Sequence, residues 1–118
     1  MERSPEAGSR PLVAGWRRRP VAIPEDADDP TIIKASGRVR LPDHIAWSGP
    51  ETDYDLDDSA QRAYVYEQVL REGTDDDVRR FIDVDELVAL WPRLYLPPWV
   101  SEAWARWLRE RRGLELAC

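Results

Sequence analysis

In 118 residues there is one cysteine, one histidine, one lysine and one methionine, and most of these shortages close a chemical route. A lone cysteine, Cys118, cannot form an intrachain disulfide, which fits a reducing compartment. With His44 as its single imidazole, and no Gly-x-Ser-x-Gly or glycine-rich phosphate loop, the chain lacks the parts of nucleophilic catalysis. No apolar run approaches the roughly 20 residues of a membrane span. The cluster Arg17-Arg18-Arg19 is not followed by the apolar stretch of a signal peptide. Positive charge is also short. A net charge of −6 argues against a non-specific nucleic-acid binder and against a binder of anionic membranes. Lys34 stands alone among 16 arginines, a skew that follows from GC-rich coding DNA rather than from chemistry. A cytoplasmic bacterial protein is the simplest reading.

The length allows one domain, with about two-thirds of the chain folded. A unit of that size buries proportionally little surface. Six tryptophans compensate, since each can bury on the order of 150–250 Å². Charge is uneven along the chain. Residues 1–24 carry five Arg against Glu2 and Glu6, whereas residues 25–58 carry ten acids against Lys34, Arg38 and Arg40. Pro5, Pro11, Pro20, Pro24 and Pro30, with little periodicity between them, predict a disordered arm over residues 1–30. Residues 31–57 predict an extended or hairpin-like segment and an acidic linker, from the alternation at Val39, Leu41, Ile45 and Trp47 with Gly37 and Pro42 as punctuation.

Residues 58–118 predict a helical domain, and the fold class is mainly α: a small bundle of about four helices behind the extended segment and the arm. Asp58 with Gln61 reads as an N-cap and its capping-box partner, and Ala63, Val65, Tyr66, Val69 and Leu70 form an apolar stripe. Gly73 is expected in the left-handed position that closes the helix. Thr74 then caps a second helix, with Asp75, Asp76 and Asp77 in its first turn where the macrodipole favours carboxylates, and Val78, Phe81 and Ile82 inward. Asp83 with Glu86 predicts a second capping box, opening a helix that buries Val84, Leu87, Val88 and Trp91. After "PRLYLPP", Pro98 suits the first position of a last helix burying Val100, Ala103, Trp104, Trp107 and Leu108. Gly113 ends it, with Leu114 folding back on Leu108.

The acids raise the question of metal. Asp53, Asp55 and Asp57 match the first three ligand positions of a calcium-binding EF-hand loop, but Asp58 stands where glycine is needed and Tyr64 where glutamate is needed. Adjacent carboxylates at 75–77 point about 100° apart on a helix and cannot converge on one ion. All these acids read as solvated clusters without the raised pKa of an acid–base catalyst, and His44 as a surface or half-buried residue. No cofactor, metal or small-molecule substrate is expected, and the chain reads as non-enzymatic. A DNA-recognition helix presents Arg, Lys, Asn or Gln to base edges, whereas the third helix here presents Asp85 and Glu86. On the last helix, Glu102, Arg106 and Glu110 form the i,i+4 pattern of a solvated face. The candidates for partner binding are the carboxylates Asp55, Asp57, Asp75 and Asp76, with Trp99 as a rim anchor beside charge.

The strings "VYEQVLREGT", "IDVDELVALW" and "LPPWVSEAW" lie within residues 54–109, about half the chain. That stretch resembles a family of short bacterial proteins encoded immediately before nucleotidyltransferase-fold toxins of the abortive-infection AbiEii type. The resemblance implies an antitoxin-like partner that restrains such a toxin. It carries no catalytic motif and no assigned functional residue. The longer antitoxins of such systems carry a winged-helix DNA-binding domain, to which nothing here corresponds. The alternative is a small DNA-binding transcriptional regulator that uses the basic N-terminal arm.

Overall fold

A computed structural model describes residues 21–45 and 53–116. Its elements are strands β1 (Arg38–Arg40) and β2 (Asp53–Asp55), then helices α1 (Ser59–Glu72), α2 (Asp75–Phe81) and α3 (Val84–Leu90). A 3₁₀ turn (Trp91–Arg93) and helix α4 (Pro98–Arg112) complete it. The class is mainly α, with four helices and one small sheet among the described residues.

Asp58 caps α1 by accepting from the Gln61 N–H at 3.0 Å. The reciprocal half of the expected capping box is absent. The Asp58 N–H already donates to the Asp55 carbonyl at 3.1 Å, so the Gln61 side chain turns to the Asp55 N–H at 2.9 Å instead. The stripe Ala63, Val65, Tyr66, Val69 and Leu70 is buried as its spacing requires.

Gly73 corrects the sequence reading. Its φ of −83° is ordinary extended backbone, not left-handed. The glycine is needed for proximity. A Cβ there would lie 2.6 Å from the Val69 carbonyl oxygen and 3.0 Å from Asp77 Cβ, because α2 starts hard against the end of α1. Gly113 is the left-handed one, at φ 69°, in open space. Gly73→Ala is therefore expected to cost about 1–3 kcal/mol through overpacking. Gly113→Ala costs about 1 kcal/mol through backbone strain alone. Urea melts of the two variants check the order, and a neutral Gly73→Ala would refute the close approach.

Thr74 caps α2 as predicted, and α2 ends on a clasp from outside the helical region. Lys34 Nζ donates to the Arg79 carbonyl at 2.7 Å and to the Ala27 carbonyl at 3.4 Å, and the Ala35 N–H donates to the Arg80 carbonyl at 2.7 Å. The only lysine thus places its compact ammonium at the negative end of a helix. Burial pushes its pKa down.

At α3 the expected box is again half-filled. Asp83 accepts from the Asp85 and Glu86 N–H groups at 2.9 and 3.2 Å, but its own N–H donates to Tyr66 Oη at 3.0 Å. Glu86 is left to face Arg62 at 3.4 Å. Burial pushes the Tyr66 hydroxyl up to about 12. Trp91 is buried in the 3₁₀ turn that follows α3, while Val88 is only half-buried against the core.

On α4 the buried residues are Val100, Ser101, Trp104, Ala105 and Leu108, whereas Ala103 and Trp107 are half-buried. The inward face is turned by about 60° from the one the apolar spacing implies. Ser101 tolerates this because its hydroxyl donates to the Pro98 carbonyl at 3.2 Å. Glu102, Arg106 and Glu110 are exposed.

Within residues 31–57, β1 and β2 pair antiparallel with Arg38 opposite Asp55, Val39 opposite Tyr54 and Arg40 opposite Asp53. Leu41, Ile45 and Leu56 anchor the hairpin in the core. Trp47 lies outside the described residues. So do residues 1–20 of the predicted arm, but residues 21–30 are folded, and the boundary moves. Ala27 is fully buried, and Val21, Ala22 and Ile23 pack against the core. Ion pairs from Arg79 to Asp26 (2.9 Å) and from Arg111 to Glu25 (3.2 Å) hold this strap over the helices.

Candidate functional site

The three aspartates at the start of α2 divide into different roles. Asp77 is buried, with 8% of its surface exposed, and its Oδ2 accepts from Thr74 N at 2.8 Å, Thr74 Oγ1 at 3.1 Å and His44 Nε2 at 2.5 Å. The Thr74 hydroxyl accepts in turn from the Asp77 N–H at 3.3 Å, closing a capping box. An ionised carboxylate only accepts, so His44 Nε2 carries the proton of this bond. Burial alone would raise the Asp77 pKa, but the hydrogen bonds from His44 and Thr74 outweigh it and hold the carboxyl below its ordinary value.

Asp76 points the other way. Its side chain is 91% exposed and meets Arg79 at 2.7 Å across one helical turn. Asp75 is exposed and makes no ion pair among the described residues. The His44 contact also lays the turn Pro42–Ile45 against this end of the molecule, bringing the exposed Asp43 with it. The reading of all three aspartates as solvated is therefore wrong for Asp77. A local signal was present: Thr74 and Asp77 stand in the S/T-x-x-acid spacing of a cap and its third residue. Nothing local announces His44, which is 33 positions away.

Asp55 and Asp57 lie elsewhere. Asp55 Oδ1 accepts from the Asp57 N–H at 2.9 Å, in the turn that feeds Asp58 into α1. Asp55 is half-buried and Asp57 exposed. The 14 residues of α1 separate this turn from α2 by about 20 Å, so the two acidic segments are two patches and not one continuous face. Asp53 is paired with Arg40 at 3.1 Å. Among the described residues, no group of three or more His, Cys, Asp or Glu side chains could hold a metal ion. Trp99 is partly buried against the core beside Val100.

The chemistry available at the start of α2 is charge presentation. Asp77, Thr74 and His44 are hydrogen-bonded to one another at this turn, and Asp75 and Asp76 carry exposed negative charge on it. Among the described residues no helix is long and apolar enough to cross a membrane. No protein-family model, curated protein or solved structure matches this chain.

Proposed function

We propose that the protein is a cytoplasmic, non-catalytic protein-binding module that meets a basic partner through Asp75 and Asp76. The resemblance of residues 54–109 names that partner as a nucleotidyltransferase-fold toxin, which the module restrains. Enzymes that handle nucleotides and RNA present basic clefts, and exposed carboxylates on a hydrogen-bonded turn suit occlusion of such a cleft. The observation that supports this reading is the division of the aspartate triplet: one carboxylate is consumed by the fold and two are left on the surface. Charge of this kind acts mainly on the rate of encounter. Trp99, at the rim of the core, is the candidate for the slowly released contact.

Replacing Asp75 and Asp76 together by Asn is expected to slow association with the toxin encoded beside this protein by about 3–10-fold at low salt. The salt dependence of that rate should flatten, because fewer charges remain to be screened. Thermal stability should change by less than about 1 kcal/mol, since Asn keeps some favour for a helix start and Asp77 still closes the capping box. Association kinetics paired with a thermal melt read both effects. An unchanged association rate at low salt would remove these aspartates from the interface. A salt-sensitive, sequence-selective complex between the protein alone and its promoter DNA would favour the DNA-binding alternative instead.

A further inference from the structure

Residues 25–35 lie against the ends of α2 and α4, and little apolar surface fastens them there. Within this segment only Ala27 is fully buried, Ala35 is partly so, and Ile33 is 91% exposed. The grip is polar. Arg79 pairs with Asp26 at 2.9 Å, and Arg111 with Glu25 and Asp28 at 3.2 and 3.8 Å. Arg111 also donates to the Glu25 carbonyl at 2.8 Å, and Arg112 reaches Asp28 at 3.9 Å. At the other end the Arg79 carbonyl accepts from Lys34 Nζ and the Arg80 carbonyl from the Ala35 N–H, both at 2.7 Å. Glu25 is exposed and Asp26 half-exposed, and ion pairs of that kind contribute little each and are screened by salt.

Between these fastenings lies a cavity of about 370 Å³. The segment lines it with Asp28, Pro30 and Ile32, and the body with Asp83, Val84 and Arg112. The turns within the segment are local: the Asp29 N–H donates to the Asp26 carbonyl, the Ile32 N–H to the Asp29 carbonyl, and Thr31 to Asp29 Oδ1. All of them survive if the segment moves as one body. Both flanks are fixed. Pro24 is buried behind Val21, Ala22 and Ile23, and the Gly37 carbonyl accepts from the Leu56 N–H at 2.9 Å. Gly37, at φ 69° and in open space, supplies the free rotation of a hinge. The arginines keep second partners after release. Arg79 holds Asp76 at 2.7 Å, Arg112 holds Asp85 at 2.5 Å, and the Arg111 guanidinium stands over the Trp107 ring, 4.8 Å from its centroid. No guanidinium is stranded when the segment lifts.

We propose that residues 25–35 are a lid that lifts from this cavity as one unit while the helices stay folded, its closure set by the ion pairs of Arg79 and Arg111. Regions with few buried apolar contacts open locally at a lower free energy than the whole domain. Added salt weakens the fastenings of the lid by screening and leaves the apolar core in place, so the open fraction follows ionic strength. This proposal does not depend on the partner named above.

The native chain carries its own reporter. Lys34 is the only lysine, so a lysine-specific protease has one bond to cut, between Lys34 and Ala35. At limiting protease, the cleavage rate of the full chain divided by that of a free peptide of residues 28–41 gives the fraction of molecules with the lid open. That fraction is expected to exceed the unfolded fraction from a urea melt by at least about ten-fold. It should rise about 2–5-fold between roughly 0.05 and 0.5 M salt, with the peptide correcting for the protease's own response. Arg79→Gln and Arg111→Gln should each raise it about 2–5-fold at low salt and flatten the salt dependence. Arg106→Gln removes the same charge from an exposed position on α4 that makes no ion pair with the lid, and should leave it unchanged. Each open fraction is set against the unfolded fraction of the same variant, so a loss of global stability does not count as opening. An open fraction equal to the unfolded fraction would overturn the proposal, because the chain would then be cut only through global unfolding. So would an open fraction indifferent to salt and to both arginine changes.

Discussion

Trp104→Ala is expected to cost about 3–5 kcal/mol, the range for removing a large aromatic from a packed interior. Trp104 is fully buried and heads the large side chains at the centre of the core. Its ring meets Trp107 edge-on at 5.5 Å. A domain of this size has only about 5–15 kcal/mol in total, so the variant should be partly unfolded at 37 °C. Trp104→Phe separates packing from polarity. The indole Nε1 is buried with no hydrogen-bond partner, and an unsatisfied buried donor costs about 1–3 kcal/mol. Phenylalanine loses ring volume but removes that donor, so its net cost should stay below about 1.5 kcal/mol. Urea unfolding followed by circular dichroism reads both variants. A loss under about 1 kcal/mol for Trp104→Ala would show that α4 is not seated on this core.

Asp77→Ala is expected to cost about 2–4 kcal/mol, far more than the paired change at Asp75 and Asp76. One buried oxygen serves Thr74 N, Thr74 Oγ1 and His44 Nε2, so its removal strips a cap and unpairs a backbone N–H together. It also frees the turn that carries His44. Asp77→Asn keeps a neutral acceptor and should lose roughly half as much. The contribution has a defined pH window. Because the folded-state pKa of Asp77 lies below its ordinary value, the charge-dependent part is full above the unfolded value of about 3.9. It is lost as pH falls through the folded value, where the carboxyl is protonated in both states. The melting difference between the native chain and Asp77→Asn should therefore be largest near neutrality and shrink toward pH 3. A difference that is constant with pH would mean that Asp77 acts through shape alone.

The helices were legible because their signals are local. The stripe at Ala63, Tyr66 and Leu70 reports a solvent-averse face within one segment, and the Thr74 and Asp83 caps and the Gly113 terminus follow from single positions. The start of α2 was legible as a helix start for the same reason. Which aspartate stays on the surface was not, since that depends on where His44 lands. Gly73 shows how a local rule can find the right residue for the wrong reason. Glycine at a helix end suggests a left-handed cap, yet here it admits a neighbouring carbonyl.

By itself, then, the sequence determined the mainly α class, the helix starts and stops and most of the buried faces, because each rests on interactions within a few residues. Only the tertiary structure decided that residues 21–35 clasp the helices, because Asp26 and Lys34 have no periodicity and meet Arg79 about 50 positions away. It also decided that Asp77 is a buried cap shared with His44, that Asp55 and Asp57 stand apart from Asp75 and Asp76, and that α4 turns Ser101 and Ala105 inward. Each of these depends on which surfaces meet, and that is settled by packing between segments rather than by preference within one.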